Sequence, residues 1–182
     1  MRTISDHILD ILENSVRAGA TLIEVIITEN KFNDLYCVKI RDNGCGMTKE
    51  TAEKALEPFF TTRTTRKVGL GLPLLRQNAE QAGGSLEISS EPGKGTLVSA
   101  TFGLSHIDRP SLGDMAGTFL ISVIGHDDIE IRYEHQTDAG SFSFSSSELK
   151  EALGDVPLNR GEIREAIREL IMNNLDLIHA SK

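Results

Sequence analysis

The chain has 182 residues, 39% of them hydrophobic and 25% charged, and a formal net charge of −8. That length suits one sizeable domain or two small ones, and the negative balance disfavours general nucleic-acid or anionic-membrane binding. No apolar run approaches the ~20 residues of a membrane helix, no signal peptide is visible, and Cys37 and Cys45 suggest neither a disulfide framework nor a metal site, so a cytoplasmic protein is expected.

Residues 3–18 read as a helix, because Ile4, Ile8, Ile11, Leu12 and Ser15 form one apolar stripe at helical spacing and Gly19 can stop it. His7, Asp10 and Asn14 share a second, polar face, which reads as solvated. Two β-rich runs follow, Thr21–Thr28 and Leu35–Ile40, joined by a polar turn into a hairpin. The second run leads into Asp42-Asn-Gly-Cys-Gly-Met. Gly44 and Gly46 free the backbone there, and Asp42 at a strand end can face a pocket as an acceptor for an exocyclic amine. By itself Asp-Asn-Gly is also an ordinary turn. Thr48 can cap a short helix to about Leu56. Residues 57–71, Glu-Pro-Phe-Phe-Thr-Thr-Arg-Thr-Thr-Arg-Lys-Val-Gly-Leu-Gly, read as a mobile, basic and hydroxyl-rich loop. A helix over Leu72–Ala82 then has Pro73 in its first turn and Gly83-Gly84 at its end. A glycine loop entering a helix N-terminus is a physical anion site, although Gly-x-Gly alone is a weak signal.

Ser85–Ser90 and Thr96–Phe102 form a second hairpin around Glu-Pro-Gly-Lys-Gly. Composition shifts at 106–115, which is read as a linker between a 1–105 domain and a small α+β domain over 116–182. In that second domain Thr118–Ile124, Ile129–His135 and Ser141–Phe144 read as strands. Ser147 caps a helix stopped by Gly154, and Asn159 with Glu162 has capping-box spacing for a last helix. The wide apolar face of that last helix closes its own small core or, alternatively, pairs two chains into a homodimer. No clustered catalytic residue types appear beyond residue 105.

Taken in order, these stretches resemble the GHKL group, which holds DNA gyrase, the large heat-shock chaperones, histidine kinases and mismatch-repair MutL. The helix with Asn14 looks like the N box, Asp42-Asn-Gly-Cys-Gly-Met like the first glycine box, and Glu57-Pro-Phe-Phe-Thr-Thr-Arg like the kinase F box. Val68-Gly-Leu-Gly-Leu-Pro-Leu looks like the second glycine box, and Gly93-Lys-Gly-Thr96 like the end of the fold. The N box is nearer to MutL, and the later motifs are nearer to histidine kinases. The resemblance implies a Bergerat-type α/β sandwich, an α+β fold with a mixed sheet and helices on one face, followed by the small C-terminal domain.

The resemblance also implies roles by position. Asp42 accepts from the adenine amine, Gly44 and Gly46 let the backbone approach the base, Met47 packs on it, and Thr96 supports the Asp42 end through a hydroxyl or a water. Asn14 holds Mg²⁺ through its amide oxygen. Gly69, Gly71 and Leu72 cradle the phosphates of ATP, with charge neutralised by Arg17 and by Arg63, Arg66 or Lys67. In hydrolysing members a glutamate four residues before the Asn activates water. Here that position is Asp10, one methylene shorter, and it ranks above the rotated Glu13 as base. Three functions follow as expectations. The first is a slowly hydrolysing ATP switch reporting to a protein partner through 106–182. The second is a kinase acting in trans on His or Ser of a partner, since no phosphoacceptor helix precedes His7. The third is a non-catalytic ATP sensor.

Overall fold

Burial alternates along Leu22–Asn30, buried at every second residue from Ile23, and shows how the sequence builds the sheet. The computed structural model describes residues 2–58, 70–154 and 156–181. Helix α1 (Ile4–Arg17) opens with a capping box in which Thr3 and Asp6 exchange side-chain and backbone bonds, and it ends before Gly19 at φ +74°. It buries Ile4, Ile8, Ile11 and Leu12, each contributing roughly 1.5–3 kcal/mol. Strands β1 (Leu22–Asn30) and β2 (Leu35–Asp42) pair antiparallel as expected, and the short helix α2 (Lys49–Lys54) is capped by Thr48. Helix α3 (Gly71–Gln81) leads to the hairpin β3 (Leu86–Glu91) and β4 (Gly95–Gly103), and β4 returns to pair antiparallel with β2.

Beyond residue 106 the structure departs from the sequence reading. Residues 118–124 belong to a helix, α4 (Met115–Gly125), not a strand. Asp114 caps it by accepting from Gly117 N at 2.9 Å. Its β-branched residues mimic a strand, but the run is apolar on nearly all sides because α4 lies against other helices. The two expected strands, β5 (Glu130–Thr137) and β6 (Gly140–Ser145), pair antiparallel as a hairpin. Helix α5 (Ser146–Leu153) is capped by Ser145 with Glu148, two residues before the expected Ser147. Helix α6 (Gly161–Leu177) starts after Arg160 with no side-chain cap, so Asn159 and Glu162 form no capping box.

All six strands form one mixed sheet in the order β3-β4-β2-β1-β5-β6, with β5 parallel to β1. The expected boundary at 106–115 therefore separates no two cores. Phe119, Val123, Ile131, Ile167 and Ile171 join Ile4, Ile8, Ile23 and Ile27 in one buried cluster. One face of the sheet packs against the helices through Ile23, Val25, Ile27, Val38, Ile40 and Val98. Of the intervening positions, Lys39, Arg41, Glu87 and Arg132 are exposed, whereas Glu24 and Ile26 on the central strand are half-buried. At the end of β1 far from Asp42, buried Glu29 accepts from His135 Nε2 and Ser181 N, both at 2.8 Å. Burial raises the Glu29 carboxyl, but bonds from His135 and Ser181 outweigh it and hold the group below its ordinary value. The C-terminal segment is thus tied into the same sheet.

Candidate nucleotide site

The site grows from the end of β2. Asp42 is the last residue of that strand and points to the helix-covered face, only 8% exposed. Its Oδ2 accepts from Ser15 Oγ at 2.7 Å, and its Oδ1 accepts from Gly44 N at 2.9 Å and Thr96 N at 3.2 Å. A buried carboxylate is costly unless hydrogen-bonded, and these three donors meet that need. Thr96 thus supports Asp42 through its backbone N–H, while its hydroxyl pairs with Ser90 Oγ at 2.9 Å. Ser90 Oγ also accepts from the N–H of half-buried Met47 at 2.8 Å.

The glycines at this end have specific causes. Gly46 has φ +63°, and a Cβ there would lie 2.0 Å from the Glu91 carbonyl oxygen. A Cβ on Gly44 would press on Ala18 at 2.9 Å. Asn43 accepts from Thr21 N and Leu22 N at 2.8 and 3.0 Å, and the Cys45 N–H donates to the Ala18 carbonyl at 2.8 Å. The Asp-Asn-Gly-Cys-Gly stretch is therefore stitched to the end of α1 and to the β3–β4 turn.

The second half of the site lies along α1. Asn14 Nδ2 donates to Asp10 Oδ2 at 3.3 Å, and Arg17 donates to Asn14 Oδ1 at 2.9 Å. Asp10 and Asn14 are half-buried, and Arg17 is exposed. Gly71, the first residue of α3, lies so close to Asp10 that a Cβ would sit 1.9 Å from its Oδ2. Leu72 follows in the same turn and is half-buried. Arg63, Arg66, Lys67 and Gly69 lie outside the described residues, as does most of the F box. Asp10 and Asn14 together offer hard oxygen donors that suit Mg²⁺. Among the described residues no group of three or more His, Cys, Asp or Glu side chains is poised for a metal. A magnesium ion, which keeps waters and substrate oxygens as ligands, fits so sparse a donor set.

One expectation about α1 changes. His7 is not on a solvated face: it is 1% exposed and bonds Asn78 of α3 at 2.9 Å. Burial pushes its pKa down to about 4, against the opposing charges of Asp6 and Asp10. Asn78 continues the α1–α3 seam that Asp10 and Gly71 begin, so this face is a packed helix interface. Glu13 does turn away from Asn14, and its destination is His126 at the end of α4, 3.4 Å away. Ser15 and Ser90 were missed as parts of the site. Ser15 had a signal, a hydroxyl in an otherwise apolar stripe, whereas Ser90 had none, since only the β3–β4 pairing brings it to Met47 and Thr96.

The chain resembles several known proteins. Over 117 residues the chain is 32% identical to the non-motile and phage-resistance protein of Caulobacter vibrioides, covering 59% of this chain and 14% of that protein. It is 34% identical over 115 residues to the cell-division control histidine kinase PdhS of Brucella anthropi, covering 56% of this chain and 11% of that one. The chain therefore spans only a small part of the curated relatives it matches. A crystal structure of the N-terminal domain of a DNA repair protein superposes with a TM-score of 0.53 at 14% identity, over 80% of this chain and 52% of that one. At that identity the likeness is one of fold. The family model for histidine kinase-, DNA gyrase B- and HSP90-like ATPases matches residues 2–106, and the chain belongs to that family.

Proposed function

We propose that the protein binds ATP between α1, the Asp42 turn and the start of α3, hydrolyses it slowly, and signals the bound state to a protein partner through residues 106–182. The observation that supports this best is the buried Asp42 carboxylate, with its donors from α1, the glycine turn and β4. Three donors leave lone pairs on the two oxygens, and those can accept the amino group of adenine. Met47 covers the base, and Gly44 and Gly46 keep the backbone low beneath it. Asn14 and Asp10 lie along α1 toward the phosphates, ~1.5 Å of helix rise per residue away from Ser15.

Asn14, with Asp10 beside it, would hold Mg²⁺, which when bound neutralises phosphate charge. Arg17 leaves the Asn14 oxygen to meet a phosphate, and Gly71 and Leu72 present the start of α3. Gly69, Arg63 and Lys67 are assigned to the phosphates as well. In hydrolysis water attacks the terminal phosphorus, the bond to the bridging oxygen breaks with ADP leaving, and Asp10 takes the proton of the attacking water. The short side chain of Asp10 makes this base slow.

A second reading, phosphotransfer to a protein in trans, is favoured by the histidine kinase among the relatives. One panel separates the readings. Asp42→Ala is expected to weaken ATP binding by about 10- to 100-fold, the value of a hydrogen bond to a charged group. Asp10→Asn should cut turnover at least tenfold, within the range of general-base catalysis, while affinity changes by less than about threefold. Turnover that is absent in the wild type or indifferent to Asp10→Asn removes the hydrolytic reading. Transfer of label from ATP to a partner protein in that case selects the kinase.

A further inference from the structure

The C-terminal part of the chain reaches the phosphate end of the site through one side chain. Glu13 lies on α1 one position before Asn14, and its two oxygens have different partners. Oε1 lies 3.4 Å from His126 Nε2, and Oε2 lies 3.7 Å from the Arg17 guanidinium. Arg17 in turn donates to Asn14 Oδ1 at 2.9 Å. The row is therefore Asn14, Arg17, Glu13, His126, running from the polar face of α1 to the C-terminal cap of α4. Residues 2–106 match the family, so His126 comes from outside the family segment. Helical spacing produces this row: Glu13 and Arg17 are four apart with the acid first, and Asn14 and Arg17 are three apart.

We infer that Glu13 and His126 are positioning residues for Arg17, setting how readily its guanidinium is released to the phosphates of a bound nucleotide. This rests on the nucleotide-binding reading above. A carboxylate beside Arg17 competes with a phosphate for the same N–H donors. The imidazole N–H of His126, donating to the other oxygen of Glu13, weakens that competition. Glu13 thus restrains Arg17, and His126 relieves the restraint. All three side chains keep solvent contact, with 45%, 39% and 25% exposure for Arg17, Glu13 and His126. The effects are accordingly small, since exposed pairs are weak and screened by salt. Their value lies in sign: two substitutions in one row shift affinity in opposite directions. Motion of α4 on binding a partner would move His126 and reach the phosphates by this route.

The test is calorimetric titration of the full chain with MgATP and with adenosine at low ionic strength. Glu13→Gln is expected to tighten MgATP about twofold, and His126→Ala to weaken it about twofold, the size of an exposed ion pair. His126→Gln, which keeps an N–H donor, restores wild-type affinity. The double variant should match Glu13→Gln alone, because His126 acts through Glu13. Adenosine, lacking phosphates, should bind every variant equally, and in an Arg17→Ala background both shifts should vanish. Shifts of the same sign, equal shifts with adenosine, or shifts that survive Arg17→Ala overturn the inference. Asp42→Ala serves as the separate control. If it leaves MgATP binding unchanged, the nucleotide site itself is wrong; if it weakens binding while Glu13 and His126 are silent, only the positioning role fails.

Discussion

The two ends of the candidate site are built from different materials. At the Asp42 end the contacts join residues far apart in sequence, many involve backbone groups, and the carboxylate is buried. At the Asp10 end, Asp10, Glu13, Asn14 and Arg17 sit within two turns of one helix, bond to one another, and keep partial exposure. The first arrangement cannot move without disturbing the sheet. The second can exchange partners at a cost near that of a surface ion pair, about 0–1 kcal/mol. The Asp42 end is preorganised, and the Asp10 end is adjustable.

That contrast can be broken by substitution, and the largest effect is expected at Gly46. Ala at φ +63° is strained, and its Cβ would meet a backbone carbonyl at 2.0 Å, a group that cannot swing aside. Gly46→Ala is expected to cost about 2–4 kcal/mol of stability, read from the denaturation midpoint, and to abolish ATP binding. A variant of wild-type stability would show that the turn is not rigid.

The next effect belongs to the α1–α3 seam beneath the Asp10 end. Buried His7 has its pKa lowered from the ordinary 6.5 to about 4, so the unfolded chain binds its proton more readily than the folded one. Its contribution is complete above pH 6.5 and is lost as pH falls toward 4, by roughly 2–3 kcal/mol. Denaturation midpoints measured between those values should fall in the wild type and fall less in His7→Gln. Parallel curves for the two would place His7 in solvent.

The smallest change in stability is expected at Gly71. A Cβ there also meets an atom at 1.9 Å, but that atom is the tip of the Asp10 side chain. Gly71→Ala should alter stability by less than about 1 kcal/mol, because a flexible carboxylate can rotate away, while shifting the turnover proposed for Asp10. If Gly71→Ala unfolds the chain as Gly46→Ala does, the two ends are equally rigid and the contrast is lost.

Much of this site was legible in the sequence because its signals are local. Asp42 at a strand end, the glycines after it, Asn14 three residues before Arg17, and Gly71 opening a helix are all set by spacing within one or two elements. Thr3, Gly19 and Thr48 likewise fix helix ends by short-range bonds. What spacing could not supply is which surface faces another element. The polar stripe with His7 looked solvated because α3, which covers it, is about seventy residues away in sequence. The 118–124 run looked like a strand because its apolar residues serve neighbours on several sides of a helix, and no periodicity records that. The separate C-terminal domain dissolved for the same reason: parallel pairing of β5 with β1 is a long-range event that leaves no turn between the strands.

The sequence by itself determined the helices and hairpins of residues 2–106, the order of their motifs, and the identity of the buried carboxylate, since each follows from dihedral preference and short-range hydrogen bonding. Tertiary structure decided that Ser15 and the Thr96 backbone hold that carboxylate, that Glu13 meets His126, and that one core serves the whole chain, because burial and charge pairing depend on what folding brings alongside.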